Sequence, residues 1–264
     1  MNGLPYLKSC LASLYKNTDY SFNVIVVDNV STDRSQEWLT EFAKKVNNCT
    51  VHFNKKPDSG FSEGNNIGLR YAKNKYVMLL NNDTLIIQQG WLWTLISELE
   101  TDETVGLVGP KLLYPNDLIQ HAGVNFGYQP ETHHIAPFHL GRFARRDSKF
   151  FNVRREVPAV TGACQLTRRE LLKDGLDETY KKGGYEDMDF CCKVRKLGYK
   201  IIYVPVELYH YEGATNLARN QKEWTSQLAE NYKIWCQRWD QWIFSDMEKN
   251  TMLYEMNVPI LAFY

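Results

Sequence analysis

Apolar and polar positions change period several times along the first hundred residues. Leu7, Leu11 and Leu14 recur at helical spacing behind Pro5, and proline fits a first helical turn because its missing N–H has no partner there. Val24-Ile25-Val26-Val27 is an unbroken apolar run, mostly β-branched, that closes on Asp28. Such a run predicts a strand buried on both faces, as in a parallel sheet. Asn29 to Asp33 is a polar turn. Asp33 with Gln36 predicts a capping box for a helix carrying Trp38, Leu39 and Phe42. Val51 to Phe53 predicts a short strand. Gly60 to Gly68, rich in glycine and asparagine, predicts a turn leading into a helix through Leu69 and Tyr71. Tyr76 to Leu80 repeats the buried-strand pattern and runs straight into Asn81-Asn82-Asp83. This βαβα order predicts an open α/β sheet. Ligands bind such sheets at the carboxyl ends of strands, where Asp28 and Asp83 both fall.

The pattern loosens between residues 110 and 160, which hold Pro110, Pro115, Pro130, Pro137 and Pro158. Short strands and long loops are expected here, a region suited to substrate contacts. Regularity returns with a strand over Val160 to Thr167, a helix near Arg168 to Asp174 and a helix over Glu186 to Leu197. A strand over Lys200 to Val204 is expected to end at Pro205. A final amphipathic helix covers Gln221 to Ile243. On it Tyr232, Trp235, Trp239 and Trp242 fall on one face. Docking of that face on the rest of the chain is the favoured reading. Homodimerisation and peripheral contact with a membrane are the alternatives.

Composition narrows the function classes. Of 264 residues 44% are hydrophobic and 23% charged, so a folded core rather than disorder is expected. Lys plus Arg is 31 and Asp plus Glu is 31. That balance argues against nucleic acid as partner, which calls for a net basic footprint. Neither a signal-peptide pattern nor an apolar run of roughly 20 residues occurs. The six cysteines are scattered without a CxxC pair, as expected of reduced thiols in a cytoplasmic protein. Arg142, Arg145, Arg146, Arg154, Arg155, Arg168 and Arg169 form a basic set, read either as a solvated face or as a site for a phosphate-bearing lipid-linked acceptor.

Three clusters carry candidate chemistry. Asn81-Asn82-Asp83 at a strand end offers oxygen ligands to a hard cation, which commonly bridges a carboxylate to substrate phosphates; Asn and Asp also favour plain turns. Gly184-Tyr185-Glu186-Asp187-Met188-Asp189 places three carboxylates at a helix start, where they complement the helix dipole. Asp187 projects away from the face shared by Glu186 and Asp189 and is a candidate general base if this helix opens into the cleft. In Tyr209-His210-Tyr211-Glu212-Gly213, the imidazole is either a packed polar residue or a metal ligand.

Read in order, these segments resemble glycosyltransferase family 2. Val26-Val27-Asp28-Asn29-Val30-Ser31-Thr32-Asp33 is similar to its VVDNxSTD signature, and Gly60-Phe61-Ser62-Glu63-Gly64-Asn65-Asn66-Ile67-Gly68-Leu69 to its GFxxGNNxGL segment. Leu79-Leu80-Asn81-Asn82-Asp83-Thr84 resembles LLNxDT, a form of the metal-binding DxD motif with Asn81 where many relatives carry Asp. Val160-Thr161-Gly162-Ala163-Cys164 resembles VTGAC, Tyr185 to Cys191 resembles xEDxDxC, and Val204-Pro205 to His210 resembles VPxxxxxH. The match runs from about Asn2 to Thr215, roughly four-fifths of the chain. Within that family the segments resemble rhamnosyltransferase-like enzymes of bacterial polysaccharide assembly.

The resemblance implies a GT-A type α/β fold, an open mixed sheet flanked by helices, over residues 1–216. Residues to about 109 would bind the nucleotide and those from about 110 to 216 the acceptor. Residues 217–264 would form a C-terminal aromatic-rich helical extension. The strand with which the family normally opens, ahead of the first helix, is missing. The implied reaction moves a sugar from a UDP- or dTDP-sugar to a glycan or lipid-linked saccharide, with inversion and a divalent cation, Mn²⁺ or Mg²⁺. Asp28 would bind the base, and Gly60, Asn65 and Asn66 would line the nucleotide-sugar pocket. Asp83, with Asn81 and His210, would hold the metal. Asp187 would be the base, and Thr161, Gly162 and Glu186 would meet donor sugar or acceptor, Gly162 by allowing close approach. The implied location is cytoplasmic, with attachment at the inner face of the membrane as a variant. The competing readings are a non-catalytic glycan-binding or scaffold module and a sugar-nucleotide nucleotidyltransferase; the latter class usually carries a glycine-rich triphosphate loop, which is absent.

Overall fold

The computed structural model describes residues 2–57, 59–213 and 221–256. Helix α1 (Leu4–Asn17) has Pro5 in its first turn and buries Leu7, Leu11 and Leu14. Strand β1 (Val24–Asn29) pairs in parallel with β2 (Cys49–Asn54), and α2 (Ser35–Lys45) crosses between them. Then come α3 (Phe61–Leu69), β3 (Tyr76–Leu80), β4 (Thr84–Ile86), α4 (Trp91–Thr101), β5 (Val105–Leu113) and β6 (Ile119–His121). A hairpin of β7 (Val124–Gln129) and β8 (His134–His139) and a short β9 (Arg155–Glu156) precede β10 (Cys164–Arg168). Helix α5 (Glu186–Lys196), β11 (Lys200–His210), α6 (Gln221–Lys249) and α7 (Thr251–Met256) complete the described chain. The main sheet runs β3-β10-β5-β11-β4, with β6 on β5 and β9 on β11. Only β5 and β11 are parallel in it, so the sheet is open and mixed.

Among the described residues β1 pairs only with β2, and β3 only with β10. Both strands line one slot of about 600 Å³, together with Leu7, Leu11 and Leu14 of α1. The slot explains a departure from the sequence pattern. The apolar run of β1 predicts burial on both faces, yet Val24 to Val27 are only half-buried because one side opens on the slot.

Other local expectations are overturned for identifiable reasons. Asp33 and Gln36 do not form a capping box: Asp33 Oδ2 accepts from the N–H groups of Gly3 and Leu4 at 2.6 and 2.8 Å, at the start of α1. Gln36 Nε2 donates instead to Asp28 Oδ1 at 2.7 Å. The glycine- and asparagine-rich stretch after Gly60 is itself α3, not a turn before a helix. Gly64 and Gly68 face β1, where a Cβ would meet Asn29 at 2.7 Å and Val27 at 3.4 Å, so small residues let this helix lie close to the strand. Strand β10 starts only at Cys164, and the expected helix at Arg168 to Asp174 is a single 3-10 turn over Arg169–Leu172.

Strand β11 does not end at Pro205 but runs on to His210. Its register against β5 shifts between Val204 and Glu207, the irregularity that lets a residue without an N–H lie inside a sheet. Beyond the shift Glu207 lies opposite Lys111, and fully buried Lys111 Nζ pairs with Glu207 Oε1 at 2.6 Å. Arg146 Nη2 binds the other oxygen at 2.6 Å.

The aromatic face of α6 docks on the chain, as favoured. Trp235 and Trp239 are buried, and Tyr232 and Trp242 are half-buried. Buried Asp189 of α5 receives Trp239 Nε1 at 2.8 Å, Arg238 Nη1 at 2.7 Å and Tyr180 Oη at 3.1 Å. The helix also clasps the loop ahead of α5. Asn231 Nδ2, fully buried, donates to the carbonyls of Lys181, Gly183 and Gly184 at 2.9, 3.1 and 3.2 Å. The expected boundary at 216/217 lies outside the described residues. The basic set is not a free phosphate cluster. Arg142 meets Glu212, Arg145 Asp147, Arg146 Glu207, and Arg154 Glu98. Arg155 binds the Phe150 carbonyl, Arg168 those of Val105 and Leu99, and Arg169 that of Asn74. Among the described residues no helix is long and apolar enough to cross a membrane.

Two measurements check this architecture. Amides of half-buried β1 are expected to exchange hydrogen faster than those of β5, which is buried along its whole length; equal protection would contradict an open slot. Asn231→Ala removes three hydrogen bonds from a fully buried amide and is expected to lower stability by about 1–3 kcal/mol in urea unfolding.

Candidate functional site

The register that follows Pro205 brings two strand ends together. His210 of β11 lies opposite Thr84 of β4, so its ring falls beside Asp83. His210 Nε2 is 3.2 Å from Asp83 Oδ1 and 3.3 Å from Asn81 Nδ2. Asp83 and His210 are both buried. The turn between β3 and β4 is fixed from three sides. Thr84 Oγ1 donates to the Asn81 carbonyl at 2.8 Å, Asn81 N donates to the Ala163 carbonyl at 2.9 Å, and Tyr211 N donates to the Asp83 carbonyl at 3.0 Å. A carboxylate oxygen and an imidazole nitrogen 3.2 Å apart fit a hard divalent cation, whose adjacent octahedral ligands at about 2.1 Å bond length lie about 3 Å apart. The amide of Asn81 adds a third oxygen-bearing group. The sequence places these residues in two separate clusters that only the resemblance joins, and the structure does bring them together.

Asp187 is presented by a turn that only its own backbone explains. Gly183, Gly184 and Tyr185 have φ of 122°, 98° and 74°, three consecutive left-handed residues that swing the chain into α5. The Asp187 carboxylate then accepts from Gly162 N at 2.8 Å through Oδ2 and from Met188 N at 2.9 Å through Oδ1. A Cβ on Gly162 would stand 2.9 Å from Asp187 Cβ. Within the chain the close approach at Gly162 is to Asp187. Burial raises the Asp187 pKa above that of an ordinary aspartate, and the N–H groups of Gly162 and Met188 oppose the rise. Burial raises Glu186 as well, with the Asp187 charge adding to it. Glu186 is buried, and its Oε2 has no hydrogen-bond partner among the described residues. Asp189, the third carboxylate, belongs to the α5–α6 contact instead.

The nucleotide-side residues divide. Asp28 is buried at the carboxyl end of β1, and its Oδ1 accepts from Ser31 N at 3.0 Å and from Gln36 Nε2. Asp28, Asn65 and Asn81 all line the slot. Asn66 turns elsewhere. Its Nδ2 donates to the Leu176 carbonyl at 2.8 Å and its Oδ1 accepts from Leu176 N at 2.8 Å, so it holds a loop rather than a pocket wall. Gly60 abuts the backbone of Lys182, where a Cβ would stand 2.8 Å from its nitrogen. Thr161 is half-buried beside Gly162, and Ala163 N is 3.5 Å from its hydroxyl.

Three contacts to the site are absent from the sequence reading. Gln36 orients Asp28, Asn231 holds the turn before α5, and Gln120 of β6 meets His210 Nδ1 at 2.7 Å. The available signal was a polar amide inside an otherwise apolar or helical pattern, as in Ile119-Gln120-His121, where every residue is buried.

Comparison with known proteins supports one family. A solved GalNAc-T7 with UDP, GalNAc and Mn²⁺ aligns over 79% of this chain and 41% of its own, at 19% identity and TM-score 0.64. A mannosyltransferase of Pyrobaculum calidifontis with GDP-Man and Mn²⁺ aligns over 88% and 59%, at 21% identity and TM-score 0.60. At these identities the likeness concerns the fold. The O-antigen biosynthesis protein RfbC of Myxococcus xanthus is 29% identical over 238 residues, 87% of this chain and 18% of that protein. The chain spans less than a third of the length of the curated relatives that match more than four-fifths of it. Residues 1–176 match Glycosyl transferase family 2, and with the GT-A likeness of the fold this establishes that the chain belongs to that family.

Proposed function

We propose that this chain transfers a sugar from a UDP- or dTDP-linked donor to a hydroxyl of a glycan or lipid-linked saccharide, with inversion at the anomeric carbon. The observation that carries the reading is the meeting of Asp83 and His210 at 3.2 Å from two different strands. Asp187 is tied to that pair by a short path: it binds Gly162 N, and the next residue, Ala163, accepts from Asn81 N. The polysaccharide setting of RfbC and the nucleotides in the two solved relatives support the same substrate class.

Each residue has a role in this reading. Asp28 keeps Oδ1 on Ser31 and Gln36 and turns Oδ2 toward the imide N–H of uracil or thymine. Asn65 lines the nucleotide side. Asp83, His210 and Asn81 would hold the cation. Mn²⁺ or Mg²⁺ there would supply positive charge to offset that building on the departing nucleoside diphosphate. Asp187 takes the proton of the acceptor hydroxyl as that oxygen attacks the anomeric carbon from the face opposite the leaving group. Its raised pKa makes it a stronger base than an exposed aspartate, and its two backbone donors oppose the rise that burial causes. Glu186 and Thr161 flank this centre on the donor-sugar and acceptor side. The open slot between β1 and β3 favours a second reading, a glycan-binding module without turnover, because Asp28 and Asn65 line that same slot.

Calorimetry separates the two readings. UDP or dTDP is expected to bind only with Mn²⁺ present, and Asp83→Ala is expected to lose that binding; no nucleotide binding in the unaltered chain would favour the second reading. Asp187→Asn is expected to lower transfer by roughly 10²–10⁴-fold while donor binding survives. Retained transfer would remove the base assignment. Transfer requires ionised Asp187, so the rate is expected to fall as pH drops through its raised pKa. The acid limb of the pH profile therefore lies above the range of an ordinary aspartate.

A further inference from the structure

Gln120 lies on β6 with its side chain buried, held by β5 against the end of β11. Its amide orientation is decided by what surrounds its nitrogen. Gln120 Nε2 faces the His210 carbonyl at 3.3 Å and Glu212 Oε2 at 3.4 Å, both of which only accept. Glu212 is itself fixed as an acceptor by Tyr114 Oη at 3.0 Å and by Arg142 Nη2 at 3.3 Å. The opposite orientation would set an amide oxygen against a carbonyl and a carboxylate. Gln120 Oε1 therefore faces His210 Nδ1, at 2.7 Å, and an amide oxygen can only accept. The proton of the neutral imidazole then resides on Nδ1.

The consequence falls on the other ring nitrogen. With Nδ1 protonated, Nε2 carries a bare electron pair directed at Asp83 Oδ1, 3.2 Å away. Two electron-pair donors facing each other at that distance repel unless a cation lies between them. Asn81 Nδ2, at 3.3 Å from Nε2, is placed as a donor to the same electron pair when no metal is present. The other tautomer would put a proton where the cation binds and leave Nδ1 and the Gln120 oxygen in repulsion.

We propose that Gln120 is a positioning residue that fixes His210 as the Nδ1–H tautomer and so keeps Nε2 free to ligate the donor's divalent cation. This rests on the reading of Asp83 and His210 as cation ligands. Hydrogen-bond partners of ligating histidines commonly set tautomer and ring orientation in this way, and their loss lowers metal affinity by roughly 10–100-fold. Gln120 never touches the cation or the substrate in this proposal; it acts only through the imidazole.

The test has a spectroscopic arm and a binding arm. Long-range ¹H–¹⁵N correlation on the metal-free, histidine-labelled chain above pH 8 reports which nitrogen of His210 carries the proton. The unaltered chain is expected to show protonated Nδ1 and bare Nε2. Gln120→Met, close in shape but without a comparable acceptor, is expected to shift the signal toward the other tautomer or a mixture. It is also expected to weaken Mn²⁺ binding in the presence of UDP by roughly tenfold or more, with the thermal unfolding midpoint of the metal-free chain unchanged. A cooperative thermal unfolding of Gln120→Met at the midpoint of the unaltered chain guards against a variant that merely folds badly. A proton on Nε2 in the unaltered chain, or the same tautomer and Mn²⁺ affinity in Gln120→Met, would overturn the proposal. The expected tautomer in a chain that binds no Mn²⁺ would overturn the cation reading instead and support Gln120 as its determinant.

Discussion

The buried contact between Lys111 and Glu207 is the constraint on which the candidate site depends. Pro205 cannot donate to a ladder, so β11 must break register there. After the break the strand needs a reason to resume pairing in one register only. A fully buried ammonium supplies it, because Lys111, whose other acceptors are the uncharged Arg146 carbonyl and Asn152 Oδ1, would without Glu207 be a buried charge lacking a counter-charge. Glu207 satisfies Lys111 at 2.6 Å and is in turn bound by Arg146. Three residues further on, the same register sets His210 opposite Thr84. A slip by one residue would turn His210 to the other face of the sheet and leave Asp83 alone.

A different device presents the second half of the site. Three carboxylates at the start of α5 would repel one another if left equivalent, and the structure makes them unequal. Asp189 is neutralised by Arg238 and Lys193 and locked by Trp239, so it serves the α5–α6 contact. Asp187 is turned back to the N–H of Gly162, where glycine is required because a Cβ would touch it. Glu186 is buried with an oxygen that has no hydrogen-bond partner among the described residues, and burial favours its protonated form. The C-terminal helix thus reaches the chemistry without lining it: Asn231 and Trp239 hold the turn and the helix from which Asp187 projects.

Much of this was legible in the sequence. The apolar runs ending in Asp28 and Asp83, the carboxylate cluster at Glu186 to Asp189 and the aromatic face of α6 are local patterns, and local patterns survive folding when the periodicity of one element controls them. The expectations that failed involve partners distant in sequence. Asp33 and Gln36 have the spacing of a capping box, but Gly3, Leu4 and Asp28 offer them better-placed partners across the fold. Pro205 has the look of a strand terminator, but a register shift absorbs it. Asn66 has the motif context of a pocket residue, but its amide matches the backbone of Leu176 on both sides.

By itself the sequence determined the alternation of strand and helix, the family, and which side chains carry candidate chemistry, because hydrophobic period and short motifs are properties of neighbouring residues. Tertiary structure decided what each of those side chains faces. The 3.2 Å approach of His210 to Asp83, the seat of Asp187 on Gly162 and the amide of Gln120 against the imidazole join residues tens of positions apart. So does the slot that leaves β1 and β3 without a shared neighbour among the described residues. Such contacts follow from sheet register and buried charge, which no local pattern encodes.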